Sequence, residues 1–432
     1  MGSGEEEAVH YLTYNSGEEF QEFFDKVAED FTEETGIEAE VEYVGGFSVI
    51  DRLSTLLQSD DPPSAFAAPS SGAGGLMWSQ GNTEPVTDIV DEFESTYGIV
   101  ADYHKFPPVG SELHNVPHYQ IVGGMEWYRS DIYHDGFGDT WDNYLSKFEE
   151  HDSDDMRAAF VPAAPAGMSG RYLNNFGAAN GLGMATFEDD PEYLVDDYRE
   201  GWIDTLEFIG EVHNYSNSNA EASFVETPQA IVDGSAAWLS HFGRAGLIAA
   251  RQDVEFKEQL AIGTPPSQDG EPEITGFLES AAGGILSSDI IGETRVENSK
   301  EFLRFLYGLH DDNPQRYIDF VNADAFIYLP VVDDMLDDDL YTTSEPYETF
   351  PILQDYLDIL NKEIMPDAAA GNEIKMAQPF WGVMDTSQGL AQMVNDHLIV
   401  DKSAEQAFDD NEPDLREAFD SSVSELEEAG VL

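Results

Sequence analysis

At 432 residues the chain is long enough for two lobes, or at most three domains, and its 87 Asp and Glu against 19 Lys and Arg give a formal net charge of −68. A hydrophobic content of 41% supports packed cores rather than a disordered acidic tail, and the absence of cysteine excludes disulfides, thiolate catalysis and cysteine-held metals. The acids are spread through every segment, so nucleic acid and anionic membrane surfaces are poor partners, and self-repulsion on this scale calls for concentrated salt.

Residues 1–7, Met-Gly-Ser-Gly-Glu-Glu-Glu, read as an artificial start or linker rather than a signal peptide, and no apolar run approaches a membrane span. Val9–Tyr14 is the first expected strand, ending in Asn15-Ser16-Gly17. Ser16 with Glu19 three residues on has the capping-box form, and Phe20, Phe23, Phe24, Val27 and Phe31 follow at helical spacing until Gly36. Ile37, Ala39, Val41 and Tyr43 alternate with Glu38, Glu40 and Glu42, the pattern of a half-buried strand. A helix carrying Ile50, Leu53 and Leu57 ends at Asp60-Asp61-Pro62-Pro63, and the apolar run Ala65–Ala68 leads into the loop Pro69–Gly75. This β-α-β-α-β order predicts a parallel sheet with ligand-facing loops at the C-terminal ends of its strands.

Val116–Trp141 is the segment around which the rest is arranged. A proline-limited extended stretch runs into an apolar and aromatic strand interrupted by Gly123-Gly124, a pair suited to a hinge between lobes. The Pro-His-Tyr lead-in at Pro117, the strand Trp127-Tyr128-Arg129 with Asp131, and the helix start Thr140-Trp141 resemble extracellular solute-binding proteins of family 1, the carbohydrate-capturing components of ABC importers. The opening helix and strands fit the same pattern, except that Ser64 stands where the family usually has aspartate. Ala230–Trp238 resembles the family's "aF..GkaAm" motif with Ser235 in place of lysine. Leu260–Pro266, the glycine-rich return Gly276–Gly284, the helix Asn298–Leu309 and Tyr328–Val331 follow in family order. Before these, Leu194, Tyr198, Trp202 and Leu206 mark a second-lobe helix; helices around Leu353–Ile364, Leu390–Leu398 and Leu415–Leu426 close that lobe.

The resemblance implies a two-lobed α/β fold like that of periplasmic binding proteins, with mainly parallel sheets flanked by helices and three crossings between lobes. Residues 8–119 with 281–340 are expected in the N-terminal lobe, and 120–280 with 341–432 in the C-terminal lobe. It also implies a monomeric, non-enzymatic sugar receptor without cofactor. Such a receptor sits on the cell surface, held by a lipid on an N-terminal cysteine upstream of this chain, and hands its sugar to permease subunits. Asn214-Tyr215-Ser216 has the form of a glycosylation site and agrees with an extracellular location.

Nothing here has the spacing of a P-loop, a dinucleotide fingerprint, a zinc helix or a nucleophile elbow. His114 and His118 are separated by Pro117, which argues against a helical metal pair, and no metal site is expected. Paired acids such as Asp333-Asp334 arise by chance in so acidic a chain and read as solvated surface. The remaining chemistry is aromatic and neutral-polar, which suits sugars: flat C–H faces stack on rings, and hydroxyls need amides, hydroxyls or carboxylates. By position in the family pattern the binding candidates are Tyr14, Asn15, Ser70, Ser71, Trp78, Tyr172, Asn174, Trp238, His241, Phe242, Phe277, Glu279, Ser280 and Trp381, with no catalytic residue. Trp202, on an apolar helix stripe, reads as core. The alternatives are the same fold with glycerol phosphate or a polyamine as cargo, for which Arg171 and Arg244 are the best-placed cations, and an extracellular carbohydrate hydrolase. Ferric iron is disfavoured by the lack of a Tyr-Tyr pair.

Overall fold

A computed structural model describes residues 8–15, 17–45, 48–59, 61–68, 77–78, 80–101, 104–105, 112–186, 191–217, 226–241, 244–273, 277–323, 328–344, 352–359, 384 and 387–428. The first strand, β1 (Val9–Thr13), is followed by α1 (Glu18–Thr35), β2 (Ala39–Tyr43), α2 (Ser48–Leu56) and β3 (Ala65–Ala68). The N-cap of α1 is Gly17, one residue later than the capping box predicts, and Ser16 lies outside the described residues. Gly36 ends the helix at φ 77° with its N–H donating to Thr32, a left-handed cap that glycine adopts without a Cβ penalty. The buried side chains of α1 are Phe20, Phe24, Val27, Ala28 and Phe31, the expected stripe except that Phe23 is only half-buried and Ala28 joins it, and they meet Tyr11, Phe302, Phe305 and Phe320. Each such ring removed from water contributes roughly 1.5–3 kcal/mol, so this face fixes α1 on the sheet.

After α3 (Thr87–Tyr97), β4 (Val116–Gly123) runs through Gly124, at φ 77°, directly into β5 (Met125–Arg129). The second half then supplies α4 (Trp141–His151), α5 (Gly167–Ala179), α6 (Arg199–His213), α7 (Glu226–Val232), β6 (Trp238–His241), α8 (Arg244–Arg251) and β7 (Leu260–Gly263). Thr140 caps α4 by accepting from the N–H of Asn143 at 3.2 Å. The return strand is β8 (Phe277–Ile285), followed by α9 (Glu293–Leu306), α10 (Pro314–Val321), α11 (Leu353–Ile359), α12 (Gly389–Leu398) and α13 (Ala404–Glu428). The last two pack on α5 and α6.

Two sheets result, ordered β2-β1-β3-β8-β4 and β6-β5-β7. In the first, β1 pairs parallel with β2 and β3, as the β-α-β-α-β order requires, but β8 runs antiparallel to both β3 and β4. In the second, β5 is antiparallel to β6 and β7, so the expectation of mainly parallel sheets holds only for the first three strands. The reason is the route of the chain: β4 and β8 carry it out of the first lobe and back, so they run in opposite senses side by side. The glycine-rich return Gly276–Gly284 is thus largely strand.

The third passage falls after the 3₁₀ turn Asp333–Asp337 and the short helix Asp339–Thr342, which packs on α10, and before α11, which packs on β7. Residues 345–351 between them lie outside the described set. No helix among the described residues is long and apolar enough to cross a membrane.

Candidate functional site

The registers show which end of each sheet lies towards Gly124, the residue between β4 and β5. In the first sheet, Ala68 at the end of β3 lies opposite Ala282, and Gly123 at the end of β4 lies opposite Phe277 at the start of β8. The ends of β1 and β3 therefore lie on the side of the sheet towards which β4 runs before it leaves for the second sheet. There, Met125 at the start of β5 lies opposite His241 at the end of β6, and Glu126 lies opposite Gly263 at the end of β7. These two ends, joined through Gly124, form the candidate ligand cleft.

At the first end, the structure brings Tyr14 and Asn15 together with Tyr119 and Tyr328. Asn15 Nδ2 donates to the Tyr119 hydroxyl at 2.8 Å, its Oδ1 accepts from Thr13 Oγ1 at 3.0 Å, and the Tyr14 hydroxyl meets that of Tyr119. Tyr119 stacks on Tyr328 with ring centroids 3.9 Å apart. The segment carrying Tyr328 is held to β4 by reciprocal backbone bonds between Gln120 and Leu329, and Gln120 Nε2 donates to the Pro330 carbonyl at 2.7 Å. Tyr14 is half-buried whereas Tyr119 is fully buried, so Tyr14 is the most exposed ring in this group. Tyr119 and Tyr328 are additions to the sequence reading, which recognised their segments but not that their rings would meet.

Behind this end lies a buried polar layer. His118 bonds through Nε2 to the Tyr11 hydroxyl at 3.1 Å and through Nδ1 to the Tyr307 hydroxyl. Burial pulls its pKa down to about 3, so the imidazole is neutral. Ser280 is 1% exposed, with its hydroxyl against Nδ1 of His104, another imidazole whose pKa burial lowers to about 3. Small residues on β8 make this layer possible, because a Cβ on Gly283 would lie 2.5 Å from Cε1 of His118. Trp78 is buried, its ring 6.5 Å from that of His114.

The second-lobe candidates are placed differently. Trp238 is 1% exposed inside a cluster of Phe137, Tyr144, Phe148, Tyr172 and Phe176, and its Nε1 donates to Glu126 Oε2 at 2.8 Å. Tyr172 is fully buried; its hydroxyl donates to the Phe160 carbonyl at 3.0 Å and accepts from the Ser240 N–H at 2.7 Å. Neither ring has a face left for a ligand, so both serve the lobe's core, as Trp202 does on α6. Asn174 is buried on α5, and His241 is buried at the hinge end of β6. Phe277 and Glu279 sit on the hinge end of β8, facing Gly123 and Ile121 in register. Ser70, Ser71, Phe242 and Trp381 lie outside the described residues.

Glu126 escaped the sequence reading. One acid among 87 carries no signal by itself, and only its place inside the apolar Met125-Glu126-Trp127 run marks it. It is fully buried, accepts from Tyr144 at 2.6 Å as well as from Trp238, and burial raises its pKa to about 8. Among the described residues no group of three or more His, Asp or Glu is placed to hold a metal.

A family model described as bacterial extracellular solute-binding protein matches residues 14–150. No curated protein sequence matches the chain. Among solved structures, an ABC transporter solute-binding protein from Agrobacterium radiobacter K84 in complex with ribitol superposes with a TM-score of 0.74 at 13% identity, covering 96% of this chain and 98% of that one. One from Thermotoga lettingae TMO bound with α-D-tagatose gives 0.69 at 15% identity, covering 96% and 100%. Maltose-bound MalE3 of T. maritima gives 0.69 at 15% identity, covering 95% and 99%. The chain thus has the two-lobed periplasmic-binding-protein-like fold over nearly its whole length.

Proposed function

We propose that this chain is the substrate-binding component of an ABC importer, taking a sugar or polyol between its lobes and presenting it to a membrane permease. The observation that carries the reading is that β4 of the first sheet runs through Gly124 straight into β5 of the second, with Tyr14, Asn15 and Tyr119 gathered at the strand ends of the first. A ligand reaching both sheets is held by both lobes only when they are closed, so binding energy drives hinge closure. The proteins that share the fold hold ribitol, tagatose and maltose, which supports a polyhydroxylated cargo. In this reading the protein is a monomer outside the cell, lipid-anchored and without catalytic activity. The net charge of −68 supports work in concentrated salt.

The test is a thermal-shift screen in molar KCl against ribitol, D-tagatose, maltose, longer oligosaccharides, glycerol phosphate and spermidine. A sugar or polyol at a hundred times its Kd stabilises the fold by roughly 2.7 kcal/mol. Shifts given only by glycerol phosphate or spermidine would overturn the cargo class and leave the fold untouched. Steady release of product from an oligosaccharide would replace the receptor with a hydrolase.

A further inference from the structure

Glu126 is the second residue of β5, two positions beyond the hinge glycine, at the edge of the second sheet that faces the first lobe. Both of its donors converge on one oxygen: Tyr144 Oη from α4 at 2.6 Å and Trp238 Nε1 from β6 at 2.8 Å, both to Oε2. The other oxygen, Oε1, is buried with no hydrogen-bond partner, and so is the hydroxyl of Ser240, the residue opposite Glu126 in the β5–β6 ladder. Two donors on one oxygen and none on the other suit a neutral acid, whose carbonyl oxygen accepts and whose hydroxyl needs no cation. They do not suit a carboxylate, which would keep half its charge unsolvated.

The side chains around it point the same way. Tyr144 of α4, Tyr172 of α5 and Tyr128 of β5 itself are among the titratable groups electrostatically coupled to it. On β6 the neighbours are Trp238 and Ser240, and on β7 Gly263 lies opposite. None of these can carry a positive charge; the buried bases on the same elements are His241 of β6, opposite Met125, and Arg171 of α5, beside Tyr172. We propose that a proton on Glu126 holds the hinge end of the second sheet together, and that its loss loosens the closed cleft and releases ligand. This rests on the solute-binding reading. An ionised Glu126 gains solvation only if water reaches Oε1, which separation of the β5 start from the ends of β6 and β7 would allow.

Infrared difference spectra test the proton directly, because ordinary carboxyls are ionised at pH 7 and give no protonated carbonyl stretch. The expected result is one such band at pH 7 that fades by pH 10 and is missing in Glu126→Gln. No band, or one unchanged in that variant, overturns the proposal. In denaturant titrations the unfolding constant of the wild type relative to Glu126→Gln should rise roughly tenfold per pH unit between about pH 5 and 8, then level off. Tyr144→Phe removes a donor that favours the ionised form and should move the upper break to higher pH.

For the release step, affinity for whichever of ribitol, D-tagatose or maltose binds should weaken up to roughly thirtyfold from pH 7 to pH 9.5 in the wild type. It should stay flat in Glu126→Gln. Identical pH profiles in the two proteins overturn the coupling. If none of the three binds, small-angle scattering reads opening without ligand. Expansion at pH 9.5 in the wild type alone then supports the proton device while the sugar reading fails by itself, and no expansion overturns the device.

Discussion

His118 shows what burial does to a titratable side chain whose partners are all neutral. It is enclosed between the hydroxyls of Tyr11 and Tyr307, and its pKa falls from the ordinary 6.5 to about 3 because the imidazolium would be unsolvated. The unfolded chain therefore takes up the proton first as the solution is acidified. A depressed pKa means stability present above pH 6.5 and lost as the pH falls towards 3, at about 1.4 kcal/mol per pH unit for one such group. His118→Asn should flatten the acid limb of a stability profile by that slope, at a cost of roughly 1–3 kcal/mol at pH 7 for the tyrosine hydroxyls it leaves short. His104 titrates in the same window, so the variant retains part of the slope. A second residue-scale contrast separates site from core. Tyr14→Ala should weaken sugar binding by about tenfold or more while leaving the denaturation midpoint nearly unchanged, because the ring is half-buried at the cleft edge. Trp238→Phe should do the reverse, lowering stability by roughly 1–3 kcal/mol through the lost bond to Glu126 and the space left in a closed aromatic cluster. Isothermal titration and denaturant unfolding on both variants check the pair; a Trp238 variant that keeps its stability but loses ligand would return that ring to the binding site.

Strand β8 is where element-scale packing and sequence legibility diverge. Its Ala281-Ala282-Gly283-Gly284 run reads as a loop because glycine is a poor strand former, yet it occupies the sheet between β3 and β4. The small residues are there because His118 and Phe66 lie across them: a Cβ at Gly283 would meet His118 at 2.5 Å, and one at Gly284 would meet the Phe66 ring at 2.5 Å. Gly283→Ala should therefore cost roughly 1–3 kcal/mol of stability by overpacking, read as a drop in the denaturation midpoint. Ala282, one residue earlier, already carries a Cβ, so an unchanged midpoint for Gly283→Ala would mean that His118 can step aside. The same strand explains what the sequence could and could not tell. Local order in β1, α1, β2 and β3 was readable because period-2 and period-3.6 patterns belong to single segments, and the helix face of Phe20, Phe24, Val27 and Phe31 came out as expected. The sense of β4 and β8, and the all-antiparallel second sheet, depend on which distant segments pair, and no local period encodes that. For the site, Tyr14 and Asn15 were named because they end a strand, and the structure groups them with Tyr119. Trp238 and Tyr172 misled because a ring beside a glycine turn looks the same in sequence whether it faces ligand or core. Arg171 and most of α5 are buried all round, which leaves no amphipathic stripe to detect.

Over the whole molecule, the balance of 87 acids against 19 Lys and Arg decides the sign of the salt response. Many of the described bases are engaged: Arg304 reaches Asp88, Glu92 and Glu301, Arg316 holds Asp311 while lying 3.7 Å from the Phe305 ring centroid, and Lys402 reaches Asp396 and Asp410. Surface pairs of this kind contribute about 0–1 kcal/mol each, and salt weakens them. Against them stands mutual repulsion among several acids for every base, which salt relieves. Raising ionic strength from 0.1 M to 1 M shortens the Debye length from about 10 Å to about 3 Å, below the spacing of most surface charges, so repulsion is screened while close pairs within 3 Å retain part of their attraction. The net effect is stabilising. The thermal midpoint should climb steeply between about 0.1 and 1 M KCl, and sucrose at matched osmolality should give only a small part of the rise because it leaves the charges unscreened. Replacing the exposed Glu38 and Glu40, which flank and enter the edge strand β2, with glutamine should raise the low-salt midpoint and reduce the slope. The same change strips charge from an unpaired strand edge, so association at high concentration should increase, since charged side chains are one means by which edges avoid pairing with other chains. A midpoint that stays flat or falls with KCl would mean that the attractive pairs outweigh the repulsion, and would remove the physical basis for placing this protein in concentrated salt.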